Sequence, residues 1–363
     1  MLRSMFLPLL FAVPIALAAP PAQATSQATS PAPAISPAPA DSPTSAGTAF
    51  NERTLVFQGQ GGLALKGSLL EASRGAKHHP FFAVFIAGSG PVDRDWSNPT
   101  YKDPGTGVLI QSHAGRDLAR WLSAQGIGSL RFDKRFVGSR NPKLDVSLEA
   151  QLGDVKAAIA AARTQPEGKR KRILLVGHDE GALLALLAAP QADAALLIGM
   201  PPESMAKSIR AMLQAQLPPE IANRNLAYLD QVFDAIRQQQ PTPVAGTEVH
   251  ESMAAMGKAI MAPETLSFVR SLLDIDPWTL IARLGVPSAL VWGDRDIQSL
   301  RPDRFPSGFH GLVLDIPQAN HLLKREERLK STLKASAAVR NYSDETPLAD
   351  LSSIAEWLKR LAE

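Results

Sequence analysis

Short apolar runs alternate with stretches of helical spacing along most of the chain. Thr54-Leu55-Val56-Phe57 and the run Leu63 to Leu70 flank a glycine-rich turn at Gly59 to Gly62, which predicts an antiparallel hairpin. Beyond it, Phe81 to Ile86, Ile127 to Phe132, Ile173 to Val176, Ala194 to Ile198, Ala289 to Trp292 and Leu312 to Ile316 read as strands. Helical patterns fall around Arg116 to Ala124 and Leu148 to Ala162, and a closing helix around Ile354 to Leu361. Strands separated by helices imply parallel crossovers, so the expected class is α/β, a mostly parallel sheet covered by helices on both faces.

The strand rhythm stops between Met200 and Leu284. Leu226, Leu229, Val232, Phe233 and Ile236 mark a helical face there, and Pro218-Pro219 and Pro241 break it. A helical insertion over about 200–285, serving as a lid, is the expectation. Six of the eight methionines lie between Met200 and Met261, where they can be either adaptable apolar wall or plain core filling.

Composition changes the picture at the beginning of the chain. Arg3, an apolar stretch from Met5 to Ala18 and the Ala22-Gln23-Ala24 cleavage pattern read as a secretory signal over 1–24. The apolar stretch is interrupted by Pro8 and Pro14 and is shorter than the roughly 20 residues of a membrane span. Residues 25–48 are almost wholly Ala, Pro, Ser and Thr, too poor in large apolar groups to offset the entropy of ordering, and read as a tether to a folded domain over 49–363. There is no cysteine, which excludes disulfides and thiolate sites. A periplasmic or secreted protein with no stable membrane span is expected.

The net charge of +3 points to no nucleic-acid partner, because its one dense cluster, Lys169 to Arg172, directly precedes a strand and reads as a solvated loop. No nucleotide loop, paired metal ligands or cofactor motif stands out; His78-His79 reads as solvated. A small-molecule substrate with no cofactor and no metal follows.

The sharpest chemical signal is Leu174-Leu175-Val176-Gly177-His178-Asp179-Glu180-Gly181-Ala182, running from a buried strand through a tight turn into a helix. This is the setting of a nucleophile elbow, G-x-S-x-G, with aspartate at its centre. Asp179 would stand at the carboxyl end of the sheet, with the Glu180 amide ready to stabilise an oxyanion. Downstream, Val291 to Gln298 ends a strand with acids at its tip, and Gln318 to Lys324 places His321 just after the next. Asp296 is preferred to Asp294 as the acid, since the tighter turn residue Asp294 suits a loop cap. Upstream, Gly88-Ser89-Gly90 follows a strand and supplies the bare backbone amides of the second half of an oxyanion hole. Ser89 as nucleophile is the weaker option, because no elbow fixes it. The charges of Arg131 to Ser139 are expected to brace loops near the cleft rather than react.

Taken together, the Gly88 to Asp95 and Arg131 to Ser139 loops, the elbow and the segments around Asp296 and His321 resemble the exported bacterial α/β-hydrolases related to serine esterases and serine aminopeptidases. The resemblance covers about residues 50–363. It implies an α/β-hydrolase fold, a nucleophile, acid and histidine in that chain order, and an elbow reading G-H-S-E-G whose serine forms an acyl-enzyme. Asp179 departs from that pattern.

A carboxylate attacking an ester would form an anhydride, more reactive than the ester itself. Attack on an alkyl carbon instead leaves an ester that a histidine-activated water can hydrolyse. Epoxide hydrolases and haloalkane dehalogenases, which share the fold, work that way, although their elbows usually carry tryptophan where this chain has Glu180. Epoxide opening there also uses lid tyrosines, and only Tyr228 lies in this insertion. The expectation is a hydrolase of a small, partly apolar substrate with Asp179 as nucleophile, His321 as base and Asp296 as orienting acid. Ester or amide hydrolysis with Asp179 as general base, and a catalytically silent binding protein, stand as alternatives. Both enzyme readings require His321 to be partly neutral although two carboxylates favour its cation.

Overall fold

The computed structural model describes residues 50–363 apart from 99–101, 104–105, 138, 140, 142–143, 217, 300, 306–307 and 334–338. The leader and tether expected over 1–48 lie outside the described residues. The strands are β1 (Glu52–Gln58), β2 (Ala64–Leu70), β3 (Phe81–Ile86), β4 (Ser129–Phe132), β5 (Arg172–His178), β6 (Ala194–Ile198), β7 (Ser288–Gly293) and β8 (Leu312–Ile316). They form one sheet in the order β1-β2-β4-β3-β5-β6-β7-β8. The hairpin β1-β2 is antiparallel and joins β4 antiparallel, while every pairing from β4 to β8 is parallel.

Successive residues of the central strands point to opposite faces and feed two cores. Phe82, Val84, Ile86, Ile173 and Leu175 pack against α2 (Leu148–Thr164) and α3 (Glu180–Ala188). Phe81, Ala83, Phe85, Leu174 and Val176 pack against α1 (Ala114–Ala124) and α9 (Ser352–Ala362). Burial on both faces is why these strands read as unbroken apolar runs rather than alternating ones. The expected α/β class, with helices on both faces of a mostly parallel sheet, is what the chain forms. Ser147 caps α2 by accepting the Ala150 amide, and the helix runs two residues beyond the apolar pattern to Thr164.

Between β6 and β7 the described residues form five helices: α4 (Met205–Gln216), α5 (Pro219–Gln238), α6 (Glu251–Ile260), α7 (Pro263–Leu272) and α8 (Pro277–Ile281). The apolar face of α5 meets α4, α6 and α7 in a separate core containing Leu226, Leu229, Val232, Phe233 and Ile236. Met253, Met256 and Met261 are filling in that core, as is Tyr228, whose hydroxyl is directed to Pro243 O. Phe268 and Leu272 of α7 join the main core instead and dock the insertion on the sheet.

Two polar segments are less solvated than their composition indicates. His79 is buried, with Nε2 against Leu358 O at 3.1 Å and its ring 5.7 Å from that of Phe81. Lys171 donates to His79 O and reaches His78 Nε2, and the Arg172 guanidinium lies 4.2 Å from the centre of the Phe81 ring. Half of the basic cluster therefore closes the amino-terminal end of the sheet, a cation–aromatic and backbone-capping role that charge counting does not reveal. No helix among the described residues is long and apolar enough to cross a membrane.

Candidate active site

Asp179 sits between β5 and α3 with φ 52° and ψ −120°, a backbone region that side-chain-bearing residues rarely adopt. The crossing that imposes this strain depends on two glycines. A Cβ on Gly177 would lie 2.4 Å from Gly181 O, and one on Gly181 would lie 2.3 Å from Ile86 O. The strand and helix backbones can approach this closely only without side chains, and the approach pushes Asp179 into the cleft.

The partners arrive from neighbouring strand ends. His321 Nδ1 and Asp296 Oδ2 are 2.8 Å apart, and both groups are buried. A carboxylate can only accept, so Nδ1 carries the hydrogen and Nε2 is left as the working nitrogen. The other oxygen of Asp296 accepts the amides of Gln298 at 2.7 Å and Ser299 at 3.0 Å, which fixes the carboxylate. Asp294 is exposed and pairs with Arg295 instead. The turn bearing His321 is held by Asn320, whose Oδ1 accepts the amides of Leu322 and Lys324.

Of the expected oxyanion residues, Ser89 is the one that meets Asp179: its N–H donates to Asp179 Oδ2 at 3.1 Å. Glu180 opens α3 with a buried side chain paired to Lys134 at 2.8 Å. Gly90, at φ +79°, shapes the turn after Ser89 and borders neither cavity that touches Asp179.

Those two cavities flank Asp179. The larger, about 100 Å³, runs between α3 and the insertion and is walled by Leu183, Pro201, Met205, Ile209, Leu272 and Ile275. Since a cavity of about 150 Å³ takes up benzene, the space suits an apolar arm somewhat smaller than that ring. The smaller, about 30 Å³, is bordered by Trp96, Asn98, His178, His321, Gln298 and Tyr342. Gln298 borders both and donates from Nε2 to the Tyr342 hydroxyl.

Sequence reasoning missed Gln298 and Tyr342, and gave His178 no role of its own. The His178 ring stacks 4.8 Å from Trp96 and meets the His321 ring edge-on at 4.5 Å, with Nε2 bonded to His321 O at 3.0 Å. Burial and the adjoining His321 hold its pKa down to about 4, so it stays neutral and braces His321 without competing for its proton. Its place beside the elbow was a signal; Tyr342 had none, lying at the end of a short 3-10 turn (Val339–Tyr342) more than 20 residues from His321 in sequence.

Burial disfavours a charged His321, but the Asp296 carboxylate, its hydrogen bond and the charge of Asp179 outweigh that and hold the pKa above the ordinary histidine value. Burial likewise opposes the charge on Asp296, yet the pairing with His321 and the two amides keep it ionised. Hydrolysis that needs neutral His321 should therefore rise with pH through an inflection above the ordinary value of about 6.5. A rate–pH profile checks this. A rate that is flat across that range, or inflects below it, would remove His321 from the base role.

Residues 83–329 match the model of the alpha/beta hydrolase family. Among curated proteins, the chain is similar to Esterase EstD of Thermotoga maritima, 24% identical over 229 residues; these are 62% of this chain and 49% of the esterase, so it spans about half the length of that relative. Similar solved structures include an esterase from Pyrococcus furiosus (15% identity, 86% and 92% of the two chains, TM-score 0.49). A hypothetical protein from Pseudomonas aeruginosa is another (17%, 86% and 94%, TM-score 0.46). With the family model covering more than half of it, the chain belongs to the alpha/beta hydrolase family.

Proposed function

We propose that this hydrolase cleaves small, partly apolar substrates through an ester formed on Asp179. The observation that carries the reading is the orientation of the carboxylate: Oδ2 already accepts the Ser89 N–H, at the position an oxyanion occupies. The other oxygen, Oδ1, is the attacking atom. It bonds to an electrophilic alkyl carbon as that carbon releases a halide with its electron pair, or an epoxide oxygen, which keeps the pair and takes up a proton from water. The product is a neutral ester whose carbonyl oxygen is Oδ2.

His321 then takes a proton from water, and the hydroxide adds to the Asp179 carboxyl carbon. Charge collects on Oδ2 and is met by the amides of Ser89 and Glu180. Collapse expels the alcohol, which carries Oδ1 with it, and the His321 proton completes it. Asp296 keeps Nδ1 protonated throughout. The apolar cavity receives the substrate's arm, with the insertion closing over it as a lid, and the export signal and tether place the work outside the cytoplasm.

The alternative, ester hydrolysis with Asp179 or His321 activating water directly, is favoured by the relative named an esterase. A single turnover in oxygen-18 water, with enzyme in excess over an epoxide or haloalkane, separates the two. The ester route gives mainly unlabelled product and a heavier Asp179 peptide by mass spectrometry. Product labelled in the first turnover, with Asp179 unlabelled, would sink it.

A further inference from the structure

The loop after β4 buries an ammonium that the reaction above does not use. Lys134 Nζ donates to Gly88 O at 2.6 Å and to Glu180 Oε1 at 2.8 Å. Both Lys134 and Glu180 are more than nine-tenths buried, so each depends on these bonds for its solvation. The two residues Lys134 grips adjoin or include the two oxyanion donors. Gly88 and Ser89 share a peptide unit, whose rigid trans plane points its C=O and N–H in opposite directions. Binding the Gly88 carbonyl on the Lys134 side therefore aims the Ser89 N–H at Asp179 Oδ2 on the other side. The second bond holds the Glu180 carboxyl, so Lys134 ties the Gly88 carbonyl to the first residue of α3. With glycine on both sides of Ser89, the local backbone has little stiffness of its own to fix that plane.

We propose that Lys134 is the positioning residue of the oxyanion hole, setting the Gly88–Ser89 peptide so that its N–H faces the Asp179 carboxyl group. The inference rests on the reading of the Ser89 amide as an oxyanion donor. Its test uses the amide itself, so that it stands even if no substrate is turned over.

Hydrogen exchange of the Ser89 amide is followed by NMR in the full chain and in Lys134→Met, Glu180→Gln and the double variant Lys134→Met/Glu180→Gln, which removes the charge left unpaired by the first change. Ser89 exchange should speed up by about tenfold or more in both variants lacking Lys134 and stay within about threefold of native in Glu180→Gln. Where turnover is measurable, kcat should fall about 10²-fold with KM little changed, the split expected of a lost transition-state contact. A general packing role would instead speed exchange throughout the neighbouring strands. Unchanged Ser89 exchange in a folded double variant would overturn the proposal. On the unaltered chain, a Lys134 ammonium that exchanges freely and shows no contact with residue 88 would overturn it without any variant.

Discussion

Replacing Asp179 with serine should create esterase activity toward short acyl esters, about 10²- to 10³-fold above that of the unaltered chain. The strained elbow, the Ser89 amide and the His321–Asp296 pair are all in place around position 179. Serine supplies what the carboxylate cannot, a nucleophile whose acyl product is an ordinary ester rather than an anhydride. The substitution also removes a negative charge that helps to hold His321 protonated. The inflection in rate should then move to lower pH than in the native chain, so that more base is available near neutrality. Hydrolysis of p-nitrophenyl acetate reads both effects. No gain in a folded Asp179→Ser variant would mean that the surrounding groups no longer support acyl transfer.

His321→Gln should trap the alkyl-enzyme. Displacement at an alkyl carbon by Asp179 needs no base, whereas hydrolysis of the resulting ester does, so the two steps separate at this residue. Glutamine can still donate to Asp296, which limits the disturbance to that buried carboxylate. Ester hydrolysis should slow about 10³-fold while the first step keeps its rate within about threefold. Intact-protein mass spectrometry should find one adduct per chain, localised to the peptide containing Asp179. If the variant accumulates nothing while the native chain converts the same substrate, attack by Asp179 is not part of the route.

Much of the framework was legible because it repeats a simple physical rule. Strands buried on both faces must be uniformly apolar, and β3, β6 and the Ile173 to Val176 stretch of β5 are. The elbow was legible because Gly177 and Gly181 flank a strand-to-helix junction, which restricts where position 179 can point. Asp296 could be preferred to Asp294 on turn geometry alone. What stayed hidden depends on contacts between distant segments. His79 looks wet in sequence and is buried because α9 closes over it. Tyr342 reaches the small cavity because Asn320 binds Asn341 O, a pairing across 21 residues. Lys134 looks like one more charge in a polar loop until the fold puts Glu180 beside it. Pattern and spacing report local demands, while the partners of a buried charge are settled by topology.

The large cavity has two kinds of wall. Ser89, Asp179, Glu180 and Leu183 belong to the sheet and its first crossings, whereas Met205, Ile209, Leu272 and Ile275 belong to the insertion, whose helices have a core of their own. On the proposed function, bond-breaking and molecular selection fall to different stretches of one chain. On that reading, diversity introduced on the cavity side of α4, whose Ile209 belongs to the insertion's own core, should redraw the range of molecules admitted while the reacting groups keep their places. If so, the molecule is modular at α4, where the selecting wall can change above a fixed set of reacting groups.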